Sequence, residues 1–105
     1  MDDDARKAIK ETIIETLKTC YDPEIPVDIY ELGLIYDIEI DETSKVDVTM
    51  TLTTPACPVA GMLLEQVESS VGSVEGVREA RVQLVWDPPW NPSKMSEAAR
   101  LELGF

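Results

Sequence analysis

Between Asp4 and Cys20 the apolar residues Ala5, Ile9, Ile13, Leu17 and Cys20 recur every three or four positions, with Arg6, Lys7, Lys10, Glu11 and Lys18 between them. That spacing predicts an amphipathic helix with one buried stripe, and Cys20 falls on the stripe. Tyr21-Asp22-Pro23 should stop the helix, because a proline disfavours helical geometry in the residue before it. From Asp22 to Tyr30 there are two prolines, three carboxylates and no clean period, the pattern of an ordered loop or a single helical turn.

After the turn residue Gly33 the period changes to two. Leu34, Tyr36, Ile38 and Ile40 alternate with Ile35, Asp37, Glu39 and Asp41, and past a turn at 41–44 the residues Val46, Val48, Met50 and Leu52 alternate with Asp47, Thr49, Thr51 and Thr53. Each run is a strand with one buried face, and together they most simply form an antiparallel hairpin. Beyond Pro55, Val59, Met62, Leu63, Val67 and Val71 return to helical spacing and predict a second amphipathic helix from about Pro58 to Ser70. A third strand follows, with Ala80, Val82, Leu84 and Trp86 on its apolar face. If it lies parallel to the second, the intervening helix makes a right-handed crossover. Asp87-Pro88-Pro89-Trp90-Asn91-Pro92 cannot extend that strand far, since prolines remove ladder donors, and Ser93 or Ser96 can open a last short helix that Gly104 ends.

One apolar face per strand calls for helices on that side only. The expected fold is a two-layer α+β domain spanning residues 1–105, a small mixed three-stranded sheet with helices on one face in the order α-β-β-α-β-α. The opposite face is expected to be polar or a partner surface. Trp86 and Trp90 are expected to close the core or to offer a recognition surface.

Charge changes the functional picture more than size does. A formal charge of -12, from 21 acidic against 9 basic residues, repels phosphate backbones and anionic lipid, so nucleic acid and membrane are not expected partners. No apolar run approaches the roughly 20 residues of a membrane span, and the chain opens Met1-Asp2-Asp3-Asp4, so it reads as soluble and cytoplasmic. Histidine is absent, which removes any Cys-His or Ser-His pair and any imidazole-ligated metal site within the chain.

The chemistry then narrows to Cys57, between the Pro55 turn and the second helix. A helix N-terminus favours a thiolate, but by only about 0.3–1 kcal/mol, under one pKa unit, and no cation stands beside it in sequence. Carboxylates nearby would oppose a free thiolate yet favour a thiolate bound to a divalent cation. One cysteine cannot complete a four-thiolate site, and there is no C-x-x-C, so a closed structural zinc site is excluded. On spacing alone, Cys57 is equally a small residue beside a helix cap. Thr51, Thr53 and Thr54 suit strand and cap positions, and Asp22, Glu24 and Glu31 suit solvated turns.

Four segments taken together, Asp22-Pro23-Glu24, Glu31-Leu32-Gly33-Leu34-Ile35-Tyr36, Thr51-x-Thr53-x-Pro55-x-Cys57-Pro58 and Trp86-x-Pro88-Pro89-Trp90, resemble the SufT/PaaD-like domains of iron-sulfur cluster assembly over nearly the whole length. These are related to the small targeting subunit of the eukaryotic cytosolic pathway. The resemblance implies a two-layer α+β fold and a role in maturing iron-sulfur proteins, with the family's reactive cysteine falling on Cys57. It also carries site roles onto Asp22, Glu24, Glu31, Thr51, Thr53 and Thr54. PaaD-type members, accessory to a phenylacetyl-CoA oxygenase-type complex, usually carry a cysteine-rich C-terminal part that this sequence lacks, which favours the SufT-like reading.

The expectation is a non-enzymatic assembly or targeting factor in which Cys57 makes a transient iron, cluster or partner contact and no cofactor is stably bound. Its partners would be iron-sulfur assembly proteins and client apoproteins, and a homodimer could bring two Cys57 thiolates together across a two-fold axis. The rival reading is a metal-free adaptor joining client to scaffold. A thiol enzyme is least favoured, for want of a general base.

Overall fold

The computed structural model describes residues 3–21, 27–52 and 60–104. Helix α1 (Asp3–Leu17) is followed by strands β1 (Ile35–Ile40) and β2 (Lys45–Met50), helix α2 (Ala60–Gly72), strand β3 (Glu79–Leu84), a 3-10 turn (Pro92–Lys94) and helix α3 (Glu97–Leu103). The sheet order is β1-β2-β3, with β1 antiparallel and β3 parallel to β2. This is the mixed three-stranded α+β architecture that the periods predict.

The layers form because the apolar stripes meet. Ile13 and Leu17 of α1 and Leu63, Val67 and Val71 of α2 are buried against Ile38, Val46, Val48 and Met50 of the sheet. Cys20 is buried too, its Sγ 3.8 Å from both the Thr16 carbonyl and the Ser70 hydroxyl, so it fills the seam between the helices as a small core residue. The α-helix stops at Leu17 rather than Cys20, because the amides of Thr19 and Cys20 donate three residues back, a tightened last turn. On the far side of the sheet Lys45, Asp47, Glu79 and Arg81 pair in register, Lys45 with Glu79 and Asp47 with Arg81, giving the polar face expected.

Strand β1 departs from the predicted alternation. Ile35 pairs with Met50 but Asp37 pairs with Thr49, so one extra residue stands in β1 between them. This bulge shifts the parity. Ile35 joins Ile38 and Ile40 against the core, and Tyr36, expected on the apolar face, does not. Met62 is a second correction. Expected on the buried stripe of α2, it is 71% exposed, because the stripe runs through Leu63, Val67 and Val71 and Met62 stands about 100° around the helix from Leu63. The two tryptophans also divide: Trp90 packs against the core, whereas Trp86 is 45% exposed.

The C-terminal segment is fixed by local caps. The Ser96 hydroxyl accepts from the Ala99 amide to start α3, and Gly104, at φ 80°, ends it in the left-handed conformation. Met95 and Ala99 are buried and tie this segment to the rest.

Candidate functional site

The end of the sheet where β2 finishes and β1 begins holds Glu31 and Thr51, two of the residues that the sequence singles out. The Asp28 side chain accepts the Glu31 amide at 3.0 Å, and the amides of Leu32 and Gly33 donate to the carbonyls of Asp28 and Tyr30, which winds 28–33 into a compact turn. Gly33 leaves it at φ 81°. A Cβ there would lie 2.1 Å from the Lys94 carbonyl oxygen, so glycine is required both for the backbone conformation and for the close approach of the C-terminal segment. That segment closes on the turn twice more, with the Ser96 amide donating to the Glu31 carbonyl at 2.8 Å and Trp90 Nε1 to the Leu32 carbonyl at 2.7 Å.

Of the expected site residues, Glu31 and Thr51 lie within the described structure, and Cys57, Asp22, Glu24, Thr53 and Thr54 lie outside the described residues. Glu31 is partly exposed, its Oε1 3.8 Å from Lys18 Nζ. The Thr51 amide donates to the Leu34 carbonyl at 2.9 Å, which brings Thr51 to the end of the same turn. By strand parity its side chain belongs to the polar face, yet Thr51 is fully buried, and its hydroxyl has no hydrogen-bond partner among the described residues.

Tyr36, displaced by the bulge, is the residue that sequence reasoning placed wrongly and that the site uses. Its hydroxyl donates to the Pro88 carbonyl at 2.7 Å, and Lys94 Nζ lies 5.0 Å from its ring centre, within cation–π range. Burial pushes the phenol above its ordinary pKa; a hydrogen bond that the Thr51 hydroxyl can give the phenolate opposes the rise, and the Asp87 carboxylate adds to it. Gly33, Ile35, Tyr36, Pro88 and Lys94 line an open groove of about 450 Å³ at this end. One signal in the sequence points to it: Leu34-Ile35-Tyr36 is three apolar residues in a row where a strict alternation would have two.

No group of three Cys, Asp or Glu side chains that could hold a metal occurs among the described residues. What they offer is a buried unpaired hydroxyl, a phenol and a lysine beside a groove, all next to the segment that leads into Cys57. Such groups can position a partner and orient a hydrogen bond.

The family described as "Iron-sulfur cluster assembly protein" matches residues 10–84. The chain belongs to this family. It is 50% identical over 96 residues to the Fe-S protein maturation auxiliary factor of Porphyromonas gingivalis, covering 91% of each chain. To the Fe-S protein maturation auxiliary factor YitW of Bacillus subtilis it is 41% identical, covering 94% of this chain and 97% of that one. It is also 31% identical over 83 residues to the iron-sulfur cluster carrier protein of Synechocystis, 79% of this chain but 23% of that protein. Among solved structures, a domain of unknown function, DUF59, from Bacillus anthracis superposes with a TM-score of 0.88 at 38% identity, covering 94% of both chains. No helix among the described residues is long and apolar enough to cross a membrane.

Proposed function

We propose that this chain is a cytoplasmic, non-enzymatic maturation factor that aids delivery of iron-sulfur clusters to client apoproteins, with Cys57 as the transient contact to iron, cluster or partner. The observation that carries the reading is the match to a named maturation auxiliary factor over 91% of both chains. The chemistry of the chain supports the role of Cys57. There are two cysteines and no histidine, and Cys20 is buried in the helix seam, so the role is assigned to Cys57. A single thiolate makes an incomplete ligand set, so a second copy, a carrier or the client itself supplies the others. Asp22, Glu24, Glu31, Thr51, Thr53 and Thr54 are the proposed surroundings of that thiol, with the threonines shaping the turn.

The test is maturation in cells. In a strain lacking the protein, a client iron-sulfur enzyme is assayed with wild type, Cys57→Ser or Cys20→Ala supplied at equal protein level. Wild type and Cys20→Ala should restore the client, and Cys57→Ser should leave it at the level of the deletion. Full activity with Cys57→Ser would retire the thiol and leave the metal-free adaptor, whereas a client indifferent to the deletion would retire the functional reading altogether.

A further inference from the structure

In the Synechocystis relative, a domain of this family forms less than a quarter of a cluster carrier protein, while the P. gingivalis factor is about the length of this chain. Joining two modules in one chain gives them an effective concentration in the millimolar range, so a fused domain can work with a weak contact. A domain on a separate chain has no such help. It needs a surface of its own.

The residues that could form that surface are marked by where the matches fall. The family matches residues 10–84. A match covering 96 residues of this chain cannot fit within its first 84, so the P. gingivalis factor, a separate chain, shares part of the segment after β3, which lies beyond the family match. In the structure this segment builds one wall of the groove. Pro88 and Lys94 face Gly33, Ile35 and Tyr36 of the shared domain. The wall is held in place by Tyr36 on the Pro88 carbonyl and Trp90 on the Leu32 carbonyl.

Charge selects the occupant. In a chain of net charge -12, Lys94 makes no ion pair among the described residues and rests over the Tyr36 ring. Among the described residues it is the cation that the groove presents, beside the apolar surface of Ile35 and Pro88, to a carboxylate from outside. We propose that this groove is the docking site for a separate iron-sulfur cluster carrier protein, which presents an acidic side chain to Lys94 and an apolar one to Ile35 and Pro88. The proposal rests on the functional reading above and names a partner for the same end of the molecule. It places the carrier beside Thr51, where the segment bearing Cys57 begins.

Purified cluster carrier protein from the same organism would be titrated into wild type, Lys94→Glu and, as a control on the polar sheet face, Lys45→Glu, with circular dichroism confirming that each variant is folded. We expect saturable binding by wild type and the control, and at least about a tenfold weaker Kd for Lys94→Glu. Amide resonances of Gly33, Ile35, Tyr36 and Lys94 should shift on addition of carrier. Equal affinity for Lys94→Glu, shifts confined to the polar sheet face, or no binding by wild type would overturn the proposal. So would light scattering that shows two copies of this chain occupying the groove. Client maturation in cells separates the two levels: if it needs the chain while the carrier does not bind, docking falls and the maturation role stands.

Discussion

A buried hydroxyl without a partner costs about 1–3 kcal/mol relative to a paired one, and the Thr51 hydroxyl is buried with no partner among the described residues. Replacing it with valine keeps the shape and removes the penalty, so Thr51→Val should be more stable to urea by about 1 kcal/mol. Because the Thr51 hydroxyl opposes the rise in the Tyr36 pKa, its loss should push the phenol further up. The sign for stability follows. A folded pKa above the unfolded value of about 10 means that the fold holds the phenolic proton more tightly, a contribution complete below pH 10 and lost as pH rises through the folded value. In Thr51→Val that loss moves to higher pH. Tyrosinate absorbance, taken as the difference from the same protein with Tyr36→Phe, reads the shift. An unchanged titration would separate the two hydroxyls, and a destabilised Thr51→Val would mean that the threonine is paired in solution.

Among the elements, the contact that decides the site's shape is the turn at 28–33 against the segment around Lys94. Gly33→Ala tests it. The left-handed backbone costs an L-residue about 1–2 kcal/mol, and a methyl group 2.1 Å from a carbonyl oxygen forces the segment away. We expect a loss of about 2–4 kcal/mol in urea unfolding, with hydrogen exchange quickening at Ser96, whose amide is held by Glu31. A variant as stable as wild type would show that the two segments do not need each other. The same region shows what the sequence could and could not disclose. Helices α1 and α2 and strands β2 and β3 were legible because a single repeat governs each. In β1 the run Leu34-Ile35-Tyr36 fits either parity, and the choice depends on register with β2, a long-range fact. Trp86 and Trp90 are the same residue type two prolines apart, and only the path of the chain sends one inward. Glu31 and Thr51 were marked as site residues by resemblance rather than by spacing. Lys94 had no local signal at all, since its importance comes from facing Tyr36.

At the scale of the whole molecule the dominant fact is charge. Twenty-one acidic side chains face nine basic ones, and the described ion pairs are long and solvent-accessible: Arg6–Asp3 at 3.6 Å, Lys45–Glu79 at 3.7 Å and Lys18–Glu31 at 3.8 Å. Exposed pairs of this kind contribute about 0.2–1 kcal/mol each, and salt weakens them. Salt also screens the repulsion among all the unpaired carboxylates, which opposes the compact state. The two effects have opposite signs, and the excess of acid decides which prevails. Going from 0.01 M to 1 M sodium chloride shortens the screening length from about 30 Å, larger than the domain's radius, to about 3 Å, shorter than the ion pairs themselves. Long-range repulsion is removed almost wholly, while the few pairs lose little that they had. Stability should therefore rise with salt, and each 1 kcal/mol gained moves Tm by about 4–8 °C in a domain of this size. Thermal melts across that range read the outcome directly, and a Tm that stays level or falls would mean that local pairing outweighs the net charge.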